Sequence, residues 1–274
     1  MAAAYSKLCP EEIKRIFIFG RTEQFLPFKC GLSNADYLDT PLGKLQVDKE
    51  VNLSLIKTGD FQFVELPFET KERSIEMQLP FIAKVMENRT YMFKVVPVYV
   101  GTLSHEHQPI VAKRFLDYLQ DPSTALIFST SLCHWGKIFG FDSKLEGLTV
   151  LDSIKSLDEK AITALRELRS RPFEEFLYDT KAKVFDHQVI NICISLLQQL
   201  LINDKFSIIQ MEEEKQLKAM MRTANFNLMG QAWSFPGVTE EENCISFISA
   251  TISLDYEKYA TEEEPEPDLL SKLC

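Results

Sequence analysis

The chain has 274 residues, 45% of them hydrophobic, which is enough for one large domain with a substantial core. The formal net charge of −10 argues against a nucleic-acid backbone as partner. No apolar run is long enough to cross a bilayer, and the first residues lack the basic and apolar regions of a secretory signal. The six cysteines form no CxxC pair, which predicts free thiols in a reducing cytoplasm.

Strands and helices alternate along the chain. Apolar runs bounded by Gly or polar loops predict strands, and apolar residues at helical spacing predict helices. In chain order the predicted elements are a strand from Ile16 to Phe19, a helix at 48–57, a helix at 74–86, a strand at 93–100, a helix at 104–120, a strand at 125–130, a helix at 153–168, a short helix at 172–178, a helix at 186–203, and strands at 206–211 and 245–254. This alternation predicts a single α/β/α sandwich with a mostly parallel, mixed central sheet.

Polar residues set the expected helix ends. Asp48 and Ser74 are suitable N-caps for the helices that follow them. Pro80 predicts either a bend in the second of these helices or the start of a new one.

The last 20 residues differ in composition from the rest of the chain. Between residues 255 and 268 there are seven acidic side chains, one lysine and two prolines. Such a segment buries too little apolar surface to offset the entropy of ordering it. We therefore expect one α/β domain at residues 1–254 and an acidic tail at residues 255–274, which a partner chain would order through its leucines, Leu269, Leu270 and Leu273.

Two loops that follow predicted strands are candidate site loops. Ligands bind α/β sheets outside the carboxyl ends of the strands. One loop runs from Arg21 to Gln24, and the other contains the His134-Trp135-Gly136 sequence. His134 could be a metal ligand, a base or a hydrogen-bonded pocket residue, and Trp135 could wall a pocket.

Four segments together resemble the Memo family, whose fold is similar to that of the class III extradiol ring-cleaving dioxygenases. They occur in the family's order, and the resemblance covers nearly the whole chain up to about residue 254. They are Arg15-Ile16-Phe17-Ile18-Phe19-Gly20, Ser74-Ile75-Glu76-Met77-Gln78-Leu79-Pro80, Val96-Pro97-Val98-Tyr99-Val100-Gly101 and Cys133-His134-Trp135-Gly136. The resemblance implies an α/β/α fold and an association with cytoskeletal and motility signalling.

The metal-ligand positions of the family are changed in this sequence. Family members open with a segment that carries a Pro-His-Ala-Gly ligand motif, and we expect this chain to begin after it. A second ligand histidine corresponds to the loop that here contains Glu23 and Gln24. A ligand cysteine at the start of the central helix corresponds to Phe185, and an aspartate before the His-Trp-Gly motif corresponds to Ser131. The resemblance therefore implies a vestigial pocket without metal or cofactor, formed by the following residues: Glu23, Gln24, Ser131, His134, Trp135, Phe185 and His187.

Three functions remain open at this stage. The first is a non-catalytic scaffold or interaction subunit of a cytoplasmic assembly, for which the resemblance suggests the cytoskeleton. The second is a metal-dependent redox enzyme with a rebuilt site around His134 and Glu23. The third is a phosphopeptide-binding module, which is disfavoured because Arg21 is the only basic residue near the predicted pocket.

The segment before the first strand predicts a protein partner. Relative to the family, the opening strand and helix are not present, and residues 1–10 are too short to replace them. Native proteins cover sheet edges and apolar faces that would otherwise be exposed. We therefore expect a partner chain that covers a sheet edge at the Ile16 to Phe19 strand, and neither nucleic acid nor a membrane as partner.

Overall fold

The computed structural model describes residues 2–89, 91–213, 220–235, 239 and 241–258. Its helices are α1 (Ala2–Tyr5), α2 (Lys49–Ile56), α3 (Leu66–Glu69), α4 (Arg73–Glu76), α5 (Leu79–Val85), α6 (His107–Lys113), α7 (Leu116–Gln120), α8 (Val150–Arg166), α9 (Ser170–Thr180) and α10 (His187–Glu213). Its strands are β1 (Arg15–Arg21), β2 (Cys30–Leu32), β3 (Tyr37–Thr40), β4 (Gly43–Gln46), β5 (Phe61–Phe63), β6 (Lys94–Val100), β7 (Thr124–Phe128), β8 (His134–Trp135), β9 (Met220–Trp233) and β10 (Cys244–Lys258). Single 3-10 turns lie at Glu87–Arg89 and Lys137–Phe139.

The central sheet has five strands in the order β5-β2-β6-β1-β7. β6, β1 and β7 run parallel, and β2 is antiparallel to β6. The apolar run of β1 is divided between the two faces, since Phe17 and Phe19 join the core under α6, α7 and α10, whereas Ile16 and Ile18 join the core under α5. Helices cover both faces, so the expected α/β/α sandwich with a mostly parallel, mixed sheet is confirmed.

The position of β1 corrects one expectation. The strand pairs with β6 on one side and with β7 on the other, so the run from Ile16 to Phe19 lies inside the sheet and is not a sheet edge. Its continuous apolar sequence is explained by this interior position, because helices cover both faces of a parallel strand. Among the described strands, the edges of this sheet are β5 and β7.

A second, antiparallel sheet of three strands has the order β8-β10-β9. The strand expected at 245–254 is longer than predicted and includes the first four residues of the expected tail. Residues 259–274, with Leu269, Leu270 and Leu273, lie outside the described residues. β9 was not predicted, although Ala224, Phe226 and Leu228 alternate with polar residues as in a half-buried strand.

The strand predicted at 206–211 is wrong. These residues belong to α10, which runs on without interruption from the helix predicted at 186–203. Extending an existing helix adds a hydrogen bond for each residue fixed, whereas a separate strand would need a partner. Periodicity alone cannot distinguish the two outcomes for so short an apolar run.

Helix α4 packs against the end of β1 and determines the first site loop. The backbone of Gly20 lies so close to this helix that a Cβ there would be 2.7 Å from the Ile75 side chain. Ser74 donates a hydrogen bond to the Arg21 carbonyl at 2.8 Å, and it is not the predicted N-cap, because the N-cap of α4 is Glu72. Pro80 lies in the first turn of α5, so it begins a new helix.

Candidate functional site

The candidate site lies where β1 and β7 end. Both strands run in the same direction, so the loop after β1 and the segment after β7 meet at one edge of the sheet. Phe185 and Asp186, the two residues before α10, also lie at this edge, where Asp186 bonds to Ser131. This is the crevice in which α/β sheets bind ligands.

Asp186 connects the three segments of the site. Its carboxylate accepts hydrogen bonds from the Ser131 hydroxyl and, at 2.8 Å, from the Ser131 backbone amide. The Arg21 guanidinium lies 3.8 Å from the other carboxylate oxygen and 3.0 Å from a carboxylate oxygen of Glu23. Glu23 and Asp186 are therefore both paired with Arg21.

His134 is held as a neutral, buried ring. Its backbone amide donates to the Lys183 carbonyl at 2.9 Å, and its Nδ1 donates to the Leu132 carbonyl at 3.2 Å. Burial lowers the pKa of His134, while the Leu132 carbonyl and the Asp186 carboxylate oppose this shift. Because a carbonyl can only accept, Nδ1 carries the proton and Nε2 keeps the lone pair.

The aromatic neighbours of His134 occupy the space that metal ligands would need. The Phe185 ring meets the imidazole edge to face, with ring centres 4.6 Å apart, and Phe139 does so at 5.1 Å. Arg21 lies over the Phe185 ring, 5.5 Å from its centre. Within the described ranges, no three His, Cys, Asp or Glu side chains converge to hold an ion. These residues therefore do not fit a metal ion of the kind that the family's ligand positions hold.

The predicted pocket residues are only partly brought together. Ser131, His134 and Phe185 lie at one edge, whereas the Glu23 side chain is 80% exposed and turns to Arg21. Gln24 has a buried Oε1 for which no hydrogen-bond partner is found among the described residues. His187 begins α10 and donates from Nδ1 to the Val184 carbonyl at 2.9 Å.

Trp135 belongs to a different core from His134. Its side chain is fully buried in the cluster formed by α8, α9 and the first turns of α10, where its ring meets Phe141 at 5.7 Å. Cys133 lies in the same cluster, and burial raises the pKa of its thiol, which keeps it protonated and a poor nucleophile. The two residues beside His134 therefore support the fold and do not line the pocket.

Two structural acids were not identified from the sequence. Glu72 accepts hydrogen bonds from the Thr22 hydroxyl and, at 2.7 Å, from the Glu23 amide, and so fixes the loop after β1. Asp158 lies on the buried face of α8 and accepts from Ser246, Trp233 and Gln231 of the second sheet. The sequence could have indicated a structural role for Asp158, because this acid falls on the apolar stripe of the predicted helix. No sequence pattern indicated a role for Glu72.

Comparisons with known proteins agree with this fold and this set of segments. None of the helices within the described residues is long and apolar enough to span a membrane. The family model described as Memo-like protein matches residues 1–224. The chain is 31% identical to Protein MEMO1 of Mus musculus over 222 residues, which covers 80% of this chain and 75% of that protein. It is 32% identical to Protein MEMO1 of Xenopus laevis, with the same coverage, and 30% identical over 205 residues to the Protein memo-1 homolog of Caenorhabditis elegans, 74% of this chain and 58% of that protein. The chain belongs to the Memo family.

Proposed function

We propose that this protein is a non-catalytic Memo-family member that acts as a scaffold or interaction subunit of a larger cytoplasmic assembly. The observation that supports this function is the packing of Phe185 and Phe139 against the His134 ring. The two aromatic rings supply no ligand atoms, and they fill volume beside His134 that further metal ligands or a substrate would need. A cytoskeletal assembly is the context that the family resemblance suggests.

The charges around His134 also favour a non-catalytic role. A metal ion bound at His134 would lie near the Arg21 guanidinium, and like charges repel strongly where water is excluded. The carboxylates that could compensate for this repulsion, Glu23 and Asp186, already pair with Arg21. A rebuilt redox centre would have to break these ion pairs and displace the Phe185 ring.

Metal titration separates the scaffold from the redox enzyme. In calorimetric titrations with Zn²⁺, Cu⁺ and Fe²⁺, we expect the wild-type chain and His134→Ala to behave alike, because no metal ion binds at His134. Phe185→Cys serves as a matched positive control, because it replaces the blocking ring with a thiol beside His134 and should create measurable Zn²⁺ binding. One equivalent of metal that binds the wild type and is lost in His134→Ala would refute the proposal.

The cytoskeletal context has its own test. Co-sedimentation of the purified full-length chain with actin filaments and with microtubules measures direct association. Saturable binding to either polymer, unchanged in His134→Ala, would support a scaffold whose activity does not depend on the closed site. Binding that requires His134 would contradict it.

A further inference from the structure

Strand β7 has one unpaired edge. Its hydrogen bonds to β1 come from odd-numbered residues, as shown by the Ser123 carbonyl that accepts from Arg15 at 3.2 Å and the Ser129 amide that donates to Phe19 at 2.8 Å. Because backbone groups alternate along a strand, those of Leu126 and Phe128 point to the opposite side. No described strand pairs there.

Strand β10 also has an unpaired edge. Beyond Ser246 it pairs only with β9 among the described strands. Ser246 turns its backbone away from β9, since its carbonyl accepts from Leu132 at 2.8 Å and its amide donates to Cys133 at 3.0 Å. The bulge in this hairpin falls on β9, at Met229, so the alternation along β10 is kept. The backbone groups of Ile248 and Ala250 therefore point to the free edge.

The two free edges begin at one junction. Leu132 lies in the segment that follows β7, and its amide donates to the Ser246 carbonyl of β10 at 2.8 Å. β10 runs antiparallel to the segment into which β7 leads, and among the described residues no strand pairing joins β7 to β10. The gap between β7 and β10 is a slot with an open hydrogen-bonding edge on each side, which we call the β7–β10 slot.

On both faces of the sheet, the β7–β10 slot lies beside a hydrophobic core that is covered by helices. Leu126 and Phe128 pack on the core under α10, whereas Ala125 and Ile127 pack on the core under α5. α10 contacts β1, β7 and β9 on one face, and α1 contacts α5, β9 and β10 on the other. All five residues of β7 are nevertheless partly exposed, whereas the paired residues of β1 from Ile16 to Phe19 are fully buried. An apolar strand with an open edge is an association site.

We infer that the β7–β10 slot binds one extended segment of a partner protein, which inserts as an additional strand. This inference rests on the proposed function as an interaction subunit and specifies where and how the partner binds. In either direction the segment is parallel to one flanking strand and antiparallel to the other, so both of its edges form backbone hydrogen bonds. Because covered cores lie on both faces, its sequence should be a continuous apolar run and not an alternating one. The net charge of −10 favours basic residues on either side of that run.

Synthetic peptides test the mode of binding on the full-length chain. The probe is a fluorescein-labelled peptide with five alternating Val and Ile residues between pairs of lysines. One control has Lys at every second core position, and a second keeps all side chains but is N-methylated at alternate amides. We expect one probe to bind per chain by fluorescence anisotropy, with each control at least about tenfold weaker, the effect of losing about 1.4 kcal/mol.

Proline substitutions on edge strands locate the site. Leu126→Pro and Ile248→Pro each remove an amide that faces the slot while leaving the existing ladder intact. Phe63→Pro is the matched control, because Phe63 lies on the other edge strand, β5, where its amide also faces away from the sheet. We expect both slot variants to lose the probe and Phe63→Pro to bind it like the wild type, with circular dichroism confirming the fold. If Leu126→Pro does not fold, Ile248→Pro carries the test.

Each outcome decides the inference. Slowed hydrogen exchange at Leu126, Phe128 and Ile248 on probe binding would support it. Absence of probe binding to the wild type, or equal binding to both slot variants, would overturn it. A wild-type dimer in light scattering that Leu126→Pro abolishes would overturn it in favour of a second copy of the chain. These results are independent of the metal titration, so a failed slot leaves the non-catalytic assignment intact.

Discussion

Asp158 connects helix α8 to the second sheet, so its removal should detach that sheet. The carboxylate is fully buried and accepts from the Ser246 hydroxyl at 2.7 Å, the Trp233 indole at 3.0 Å and the Gln231 amide at 3.0 Å. The backbone amide of Cys133 adds a fourth donor. Asp158→Ala leaves all four donors without their acceptor.

The cost can be worked from the burial of each donor. The Ser246 hydroxyl also lies 3.3 Å from the Cys133 carbonyl, which can partly replace the carboxylate as acceptor. Each of the four donors, the Ser246 hydroxyl, the Trp233 indole, the Gln231 amide and the Cys133 amide, therefore loses about 1 kcal/mol. Burial raises the pKa of Asp158 despite its donors, so part of this loss is offset because the substitution removes a carboxylate that is costly to bury. We therefore expect Asp158→Ala to lower the free energy of unfolding by about 3 kcal/mol.

Urea unfolding followed by tryptophan fluorescence measures this loss. One of the two tryptophans, Trp233, is bonded to Asp158, so the emission also reports detachment of the hairpin. Asp158→Asn is the matched control, because its amide keeps the volume and one acceptor, and we expect it to lose about half as much. A loss below about 1 kcal/mol in Asp158→Ala would refute the reasoning, since it would mean that water replaces the carboxylate without cost.

Four further predictions follow from single contacts. Since the folded-state pKa of Asp158 is raised, protonation of this carboxyl favours the folded state, and that part of the stability is lost as pH rises through the folded-state pKa; the stability advantage of the wild type over Asp158→Asn should therefore shrink as pH rises in urea titrations. Since the pKa of His134 is lowered, the wild type should lose stability as pH falls below about 6.5, and Phe185→Ala should raise this pKa in NMR titrations by admitting water to the ring. Gly136→Ala should cost about 2 kcal/mol or more by thermal unfolding, because φ is +121° there and a Cβ would meet the Asn243 side chain. Asp48→Ala should cost about 2 kcal/mol in the same assay, because this buried carboxylate caps α2 and bonds to Arg15 at 3.0 Å.

The sequence predicted most of the elements whose signal is local. Helix α8 and strand β6 were predicted within about three residues of their ends, because their apolar periodicity is unambiguous over their whole length. The wrong predictions fall where the local sequence is compatible with two different structures. Residues 206–211 became the end of α10 and not a strand, and the helix predicted at 104–120 is divided into α6 and α7.

The candidate site was only partly predictable for a related reason. Phe185 at a ligand position and the neighbouring His134 could be identified from motifs, and the two rings do meet. The hydrogen bonds of Asp186 with Ser131 and of Glu72 with Thr22 join residues about 50 positions apart in the chain, and the ion pair of Asp186 with Arg21 joins residues even further apart. No local pattern encodes such a pairing, because it forms only when strands and helices pack.

The sequence by itself determined the alternation of strands and helices and the apolar character of the run from Ile16 to Phe19. Through the family resemblance it also predicted the loss of metal-ligand residues. Only the tertiary structure decided that this run lies between β6 and β7, and that no described strand pairs with the outer edge of β7. The physical reason is that hydrophobic periodicity records how deeply a strand is buried but not which strands are its neighbours. Strand order is set by non-local pairing, in which backbone groups are the same at every residue and carry no sequence signal.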